Sequence, residues 1–523
     1  MIPPEHLVVV PVVLPLAAGA AMLMLDERRV GLKAGIALAA ALALVVAAAA
    51  LAVRVDADGT QVYRLGDWAA PFGIVLVADR LSALLVLLAA VLGLASLSFA
   101  LARWHRAGPR FHALHQFLLM GVSGAFLTGD LFNLFVFFEV LLAASYALAL
   151  HGSGVVRVMT SLHYIAVNVA ASLVFLVGIA LVYAVTGTLN IADVALRVPA
   201  VAAADRALLE AGAALLGVAF LVKAGLWPLC FWLPGTYAAA SAPAAALFAV
   251  LTKVGVYAVL RVSQTAFGDG AGASAGFGAA WVAAGGLATL AFGTVGMLAS
   301  QDLPRIVSYG LVASSGTLLA AVGLRDEALT GAALYYLVAS TLAASAMFLI
   351  AELMERGRAP GAQILAVTAE WLGDAEDNEA PERDVGVSIP GTLAVLGLAF
   401  ASAALVLAGL PPLAGFLGKF LLLDALLGRA APDAASWTML GLLLASGLAA
   451  IVAFGRTGIR RFWAAQDEGV PRVRVVEFVP VALLLVACAV LTAEAGGAMR
   501  FLQDTARTLH APGGYVERVL EVP

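Results

Sequence analysis

Three lysines stand where lysine is costly. The chain has 30 lysines and arginines together, and only Lys33, Lys223, Lys253 and Lys419 are lysines, so arginine supplies nearly all the surface positive charge. Lys223, Lys253 and Lys419 each lie inside an apolar run. An ionised side chain at mid-bilayer costs about 2.5–3.5 kcal/mol on insertion scales. Arginine stays protonated in a protein, whereas a buried lysine can release and regain its proton. A lysine kept in such a place is therefore a candidate for proton exchange. The plainer reading of any one of them is a side chain that snorkels to an interface or pairs with a carboxylate. Three together, in a chain this short of lysine, weigh against it. Lys253 is the least telling of the three, because a structural partner would explain it.

The natural counter-charge is Glu139. It lies in LTGDLFNLFVFFEVLLAASY, nine residues beyond Asp130, hence about 13 Å into a helix at 1.5 Å per residue. A glutamate beside a lysine holds it protonated, and moving the glutamate away releases the proton. The alternative is a static ion pair tying two helices together. Asn133 and Ser145 lie six residues to either side, so neither falls squarely on the same helix face.

Two apolar runs are interrupted close to a lysine. LVKAGLWPLCFWLPGTYAAASAP holds Pro228 and Pro234, and LVLAGLPPLAGFLGKFLLLDAL holds Pro411 and Pro412. Proline removes a backbone hydrogen bond and opens carbonyls that must find partners within the protein or in a wet cavity. Paired interruptions in corresponding spans point to an ion site at the interface of inverted repeats. A kink that serves packing alone is the competing explanation for either one.

These residues must be positioned by membrane helices. The 523-residue chain is 63% hydrophobic and 12% charged, and apolar stretches of about 20 residues recur from end to end, enough to cross a bilayer as helix. They are rich in Ala and Leu without period-two alternation, which argues against strands. The fold class is thus all-α and polytopic, with spans expected near 7–25, 33–53, 79–102, 112–128, 130–151, 161–186, 207–233, 240–262, 277–299, 304–324, 330–353, 389–427, 436–455 and 477–495. Segment 7–25 reads as a first helix rather than a removed signal. A tight turn is expected near Gly129-Asp130. The interrupted seventh and twelfth spans are five apart, which implies two five-helix repeats of opposite insertion, residues 112–262 and 277–455. Residues 1–111 carry three helices before them, 354–388 form an acidic cytoplasmic loop, and 456–523 form a last helix and a tail.

With both termini outside, the loops facing the cytoplasm hold 16 of the 30 basic residues and the outside segments 11, as the positive-inside rule favours. The net charge of −4 is spread over loops, so nothing suggests nucleic acid. Cys230 and Cys488 lie in apolar runs and read as packing residues; no metal spacing, nucleotide fingerprint or cofactor motif is present.

With these residues in hand, the chain resembles the antiporter-like membrane subunits shared by respiratory complex I and the multisubunit Na⁺(K⁺)/H⁺ antiporters of the Mrp type, most closely the D subunits. GDWAAPFGIVLVADRLSALL, LTGDLFNLFVFFEVLLAASYAL and WLPGTYAAASAPAAALFAVLTKVGVYAVLR carry the likeness, which covers roughly residues 60–460. The resemblance implies that Glu139, Lys223, Lys253 and Lys419 form a polar axis along the membrane mid-plane that carries protons. It also implies a bacterial inner membrane and partner subunits, with protons and Na⁺ or K⁺ as the transported ions. Where many relatives carry a histidine, in a motif like Y-Y-L-x-H-S-T, this chain reads YYLVASTLAASA with Ala339. In its tenth span Ser308, Tyr309, Ser314 and Ser315 are the polar candidates. Either water ordered by such hydroxyls bridges Lys253 and Lys419, or part of the relay is lost. The functional expectation is a proton-conducting subunit of a cation/proton antiporter, a transporter rather than an enzyme. The alternatives are a proton-pumping subunit of a complex I-like dehydrogenase or membrane-bound hydrogenase, and a structural subunit with a degenerate relay.

Overall fold

A computed structural model describes residues 4–355, 391–463 and 473–521. All but the first two residues of the expected loop 354–388, including its acidic stretch, lie outside the described residues. The chain is a helical bundle, and each of the fourteen apolar segments expected from the sequence contains helix. Among the described residues, twelve helical segments are long and apolar enough to cross a membrane, and Val10–Leu23 (α1) and Phe111–Leu127 (α4) are shorter apolar helices.

Val30–Asp58 (α2) and Arg80–Ala100 (α3) complete the N-terminal part. Leu131–Ala149 (α5) follows α4 across a tight turn, as expected, and Asp130 caps it by accepting a hydrogen bond from the Asn133 amide. Val155–Thr186 (α6) is followed by a short surface helix, Ile191–Arg197 (α7). The expected seventh span is two helices, Ala203–Ala224 (α8) and Trp232–Ala239 (α9). The eighth is one apolar span, Ala242–Thr265, in which Ala242–Phe248 (α10) and Leu251–Thr265 (α11) meet at a turn whose two residues keep right-handed helical dihedrals. Ala279–Ala299 (α12), Leu303–Gly323 (α13) and Glu327–Glu355 (α14) follow. The expected single segment 389–427 is broken into Gly391–Ala408 (α15) and Ala414–Leu427 (α16), and Ala434–Gly458 (α17) and Val475–Ala493 (α18) complete the bundle. The segments α10–α11, α13 and α14 are the most enclosed of these, so the eighth span runs through the middle of the protein.

Two features add to the membrane-spanning helices. Gln61–Arg64 (β1) pairs antiparallel with Val75–Ala78 (β2), with Val62 opposite Val77. The tail folds into two amphipathic helices, Ala495–His510 (α19) and Gly513–Leu520 (α20). Tyr515, Val516 and Val519 pack with Val75, Val77 and Ala192, so hairpin, α7 and tail share one small core. A buried ion pair ties it down. The Arg261 guanidinium lies 2.6 Å from Asp79 and faces the rings of Tyr257 and Tyr515. At the opposite end of the spans, Trp104 donates from its indole nitrogen to Glu352 at 2.6 Å, and Arg157 lies over its ring.

Candidate functional site

Lys223 lies in the last turn of α8, and Gly225 ends that helix in the left-handed conformation. Carbonyls at a helix C-terminus lack intrahelical donors and carry partial negative charge, which favours a cation there. The interruption puts this helix end inside the bundle instead of at its surface, and Lys223 is 4% exposed. Its Nζ donates to Ser172 Oγ of α6 at 3.4 Å, and the Ser172 hydroxyl donates to the Glu139 carboxylate of α5. Glu139 and Lys223 are therefore joined through a hydroxyl. Nζ also stands 5.0 Å from the Phe138 ring centroid, over a cluster formed with Phe175 and Phe220. The neighbouring α11 comes very close: a Cβ at Gly255 would collide with the Ala224 backbone nitrogen. Only glycine at 255 lets α11 lie against the end of α8.

Lys253 stands in the first turn of α11, just past the turn at residues 249–250, and is 0% exposed. Its Nζ donates to Ser314 Oγ of α13 at 3.0 Å, and Ser314 shares a 3.1 Å hydrogen bond with Ser340 of α14. Ser314 and Ser340 line a cavity of about 30 Å³ whose wall also includes Lys419 and Ser446. About 10–15 Å³ is enough space for a water when two or more polar partners are present. The gap between Lys253 and Lys419 thus has room for water and hydroxyls to bind it.

Unlike Lys223, which ends the half-helix before its break, Lys419 stands on the half-helix after the second break. Its Nζ donates at 3.0 Å to the carbonyl of Ala408, the last residue of α15. Gly409 follows at φ 79°, and a Cβ there would collide with the Cδ of Lys419. Pro411 and Pro412 lie in the open link, and Pro228 lies in the link between α8 and α9, where the Trp227 amide finds Thr289 Oγ1 at 2.9 Å.

Several positions differ from what the sequence led us to expect. Pro234 does not break a helix; it lies in the first turn of α9, where proline is tolerated. Ser308 donates only back to Pro304 O, and Tyr309 packs against Phe292, so neither borders the cavity. Ser315 is buried but joins no hydrogen bond with a lysine, which leaves Ser314 as the hydroxyl that meets one. Ser172, Ser340 and Ser446 were not anticipated; Ser340 directly follows Ala339. The span expected to begin at Lys33 begins three residues earlier, at Val30, so Lys33 lies inside α2 and is buried against Glu27 at 2.9 Å. Asn133 and Ser145 bond elsewhere, to Thr128 and Tyr164.

Broken membrane helices bearing buried lysines define a class of ion-transport subunits, and the chain's relatives agree. The family model described as "NADH:quinone oxidoreductase/Mrp antiporter, TM" matches residues 128–448. The chain belongs to this family. It is 53% identical, over 99% of its length and 98% of the relative's, to a protein of Rhizobium meliloti (strain 1021) named as the probable D subunit of a K⁺/H⁺ antiporter. It is 34% identical, over 99% of its length and all of the relative's, to the D subunit of the Na⁺/H⁺ antiporter of Bacillus subtilis (strain 168). Among solved structures, a chain of the Mrp complex from Dietzia sp. DQ12-45-1b matches all of this chain and all of its own at TM-score 0.81 and 26% identity. A chain of respiratory complex I from Thermus thermophilus, at TM-score 0.75 and 21% identity, covers 98% of this chain and all of its own and has the same fold.

Proposed function

We propose that this chain is the proton-conducting subunit of a multisubunit monovalent cation/proton antiporter. The observation that carries the reading is that Lys223, Lys253 and Lys419 are each buried and each meet a hydrogen-bond acceptor at a helix break or on a facing helix. Glu139 acts through the Ser172 hydroxyl to hold the proton on Lys223. Lys253 takes up a proton and passes it through Ser314, Ser340 and cavity water towards Lys419. Each lysine gains a proton when its partner draws near and loses it when that partner withdraws. The K⁺/H⁺ and Na⁺/H⁺ antiporter names of its relatives support K⁺ or Na⁺ as the counter-ion. Partner subunits supply the rest of the exchange path.

The two breaks, each with a lysine beside the C-terminal end of its first half-helix, support the reading of residues 112–262 and 277–455 as inverted five-helix repeats. The basic residues support termini outside the cytoplasm of a bacterial inner membrane. The test is ΔpH-driven cation exchange in everted vesicles of an antiporter-deficient strain, with and without the neighbouring genes. Exchange that requires the neighbours is expected. No exchange of Na⁺ or K⁺ in any combination, together with a co-purifying iron–sulfur protein, would instead place the chain in a redox-driven pump.

A further inference from the structure

A second site lies at the face that carries residues 101–110, away from Lys223, Lys253 and Lys419. The turn between α1 and α2, the start of α2 and the start of α4 enclose a cavity of about 390 Å³. Its polar lining is Glu27, Lys33, His105, Arg106, Arg110 and His112. His112 is 4% exposed, yet neither Nδ1 nor Nε2 has a partner, and His105 Nδ1 has none either. A neutral imidazole always presents one N–H donor, and buried donors in folded proteins are nearly always satisfied. An acceptor therefore belongs in this cavity.

The surrounding charge selects an anion. Lys33, Arg106 and Arg110 line the cavity with Glu27 as the one carboxylate of the lining, and Arg28, Arg29 and Arg103 stand close by in sequence against Asp26. Glu27 is 53% exposed on its turn, so it can swing into water and leave the Lys33 ammonium to another oxyanion. The cavity also has an apolar side formed by Leu23 and Val30, and Leu23, Met24 and Leu32 are exposed beside it. A soluble anion has no use for that surface, whereas acyl chains do. Basic pockets at the edge of a membrane bundle are suited to anionic head groups.

We propose that this cavity binds the phosphate of an anionic phospholipid, with Lys33, Arg106, Arg110 and His112 donating to its oxygens and the acyl chains lying along Leu23 and Leu32. The lipid would brace residues 101–110 against the first two helices. The test uses the full-length chain within its purified, delipidated complex and follows thermal unfolding and native mass spectrometry as short-chain phosphatidylglycerol is titrated. Phosphatidylglycerol should bind at least tenfold more tightly than phosphatidylcholine. Arg106→Gln/Arg110→Gln, both exposed positions, should remove that preference, and His112→Leu should weaken it, while Arg518→Gln on the other face should retain it. Equal binding of the two lipids, or an unchanged preference in the double variant, would overturn the proposal. Inorganic phosphate alone reproducing the whole effect would overturn the lipid and leave a soluble-anion site.

Discussion

Replacing Ser314 with alanine should slow cation/proton exchange by roughly ten- to 150-fold. Lys253 is wholly buried, and its one side-chain hydrogen bond goes to Ser314 Oγ at 3.0 Å. A hydrogen bond to a charged group contributes about 1.5–3 kcal/mol, and each 1.36 kcal/mol in a barrier is tenfold in rate. The same substitution cuts the hydroxyl path from Lys253 to Ser340 and to the cavity beside Lys419. The assay is ΔpH-driven exchange in everted vesicles, normalised to the amount of chain in the membrane. Ser314→Thr keeps a hydroxyl and should retain most of the rate. Ser308→Ala should change nothing, because that hydroxyl only returns to the Pro304 carbonyl one turn earlier. Wild-type exchange in Ser314→Ala, or an equal loss in Ser308→Ala, would refute the reasoning.

Other outcomes follow from the same geometry. Gly409→Ala forces a side chain at φ 79° and into the Lys419 stem, a backbone cost of about 1–2 kcal/mol; thermal unfolding should occur earlier and exchange should fall, and an unchanged midpoint would argue against it. Arg261→Met leaves Asp79 without its partner, and breaking a buried pair costs about 3–5 kcal/mol, so the unfolding temperature should drop clearly, with the Asp79→Asn/Arg261→Met double variant recovering part of it. Burial holds the His510 imidazole below the usual histidine range, against the opposing pull of Glu327, Asp326 and Asp269. Its folded value lies below its unfolded one, so its contribution is complete above about pH 6.5 and is lost as the pH falls through the folded value. The protection of α19 amides against hydrogen exchange, taken relative to the intrinsic rate at each pH, should therefore fall from pH 7.5 to 5, since His510 ties α19 to Thr330 of α14 at 3.0 Å, and His510→Asn should flatten that fall.

The lysines, Glu139 and the broken spans were legible in the sequence because each violates a strong local rule. A charge inside a 20-residue apolar run, or proline inside a helix, is expensive wherever the chain folds. The turn at residues 249–250 was not legible, since AAALFAVLTK holds neither Gly nor Pro and both residues keep right-handed helical dihedrals. Ser172, Ser340 and Ser446 were missed for a different reason. A serine in a membrane helix can satisfy itself on its own backbone, as Ser308 does, and only tertiary contact separates Ser314 from it. Pro234 misled because proline in the first turn of a second half-helix looks, in sequence, like a continuation of the break. The start of α2 falls three residues before the expected one at Lys33, because VGLK has no capping side chain to mark it. The hairpin was hidden by strands of four residues each. Hydrophobic period alone would have found the amphipathic tail helices had it been applied beyond the last apolar run.

The central claim is that Glu139 and Lys223, joined through Ser172, govern the proton. The most direct measurement is exchange by the assembled complex carrying Glu139→Ala or Lys223→Ala, with assembly confirmed by purification. The account predicts that both variants assemble and that neither exchanges cation for proton. Normal exchange in either one would contradict it.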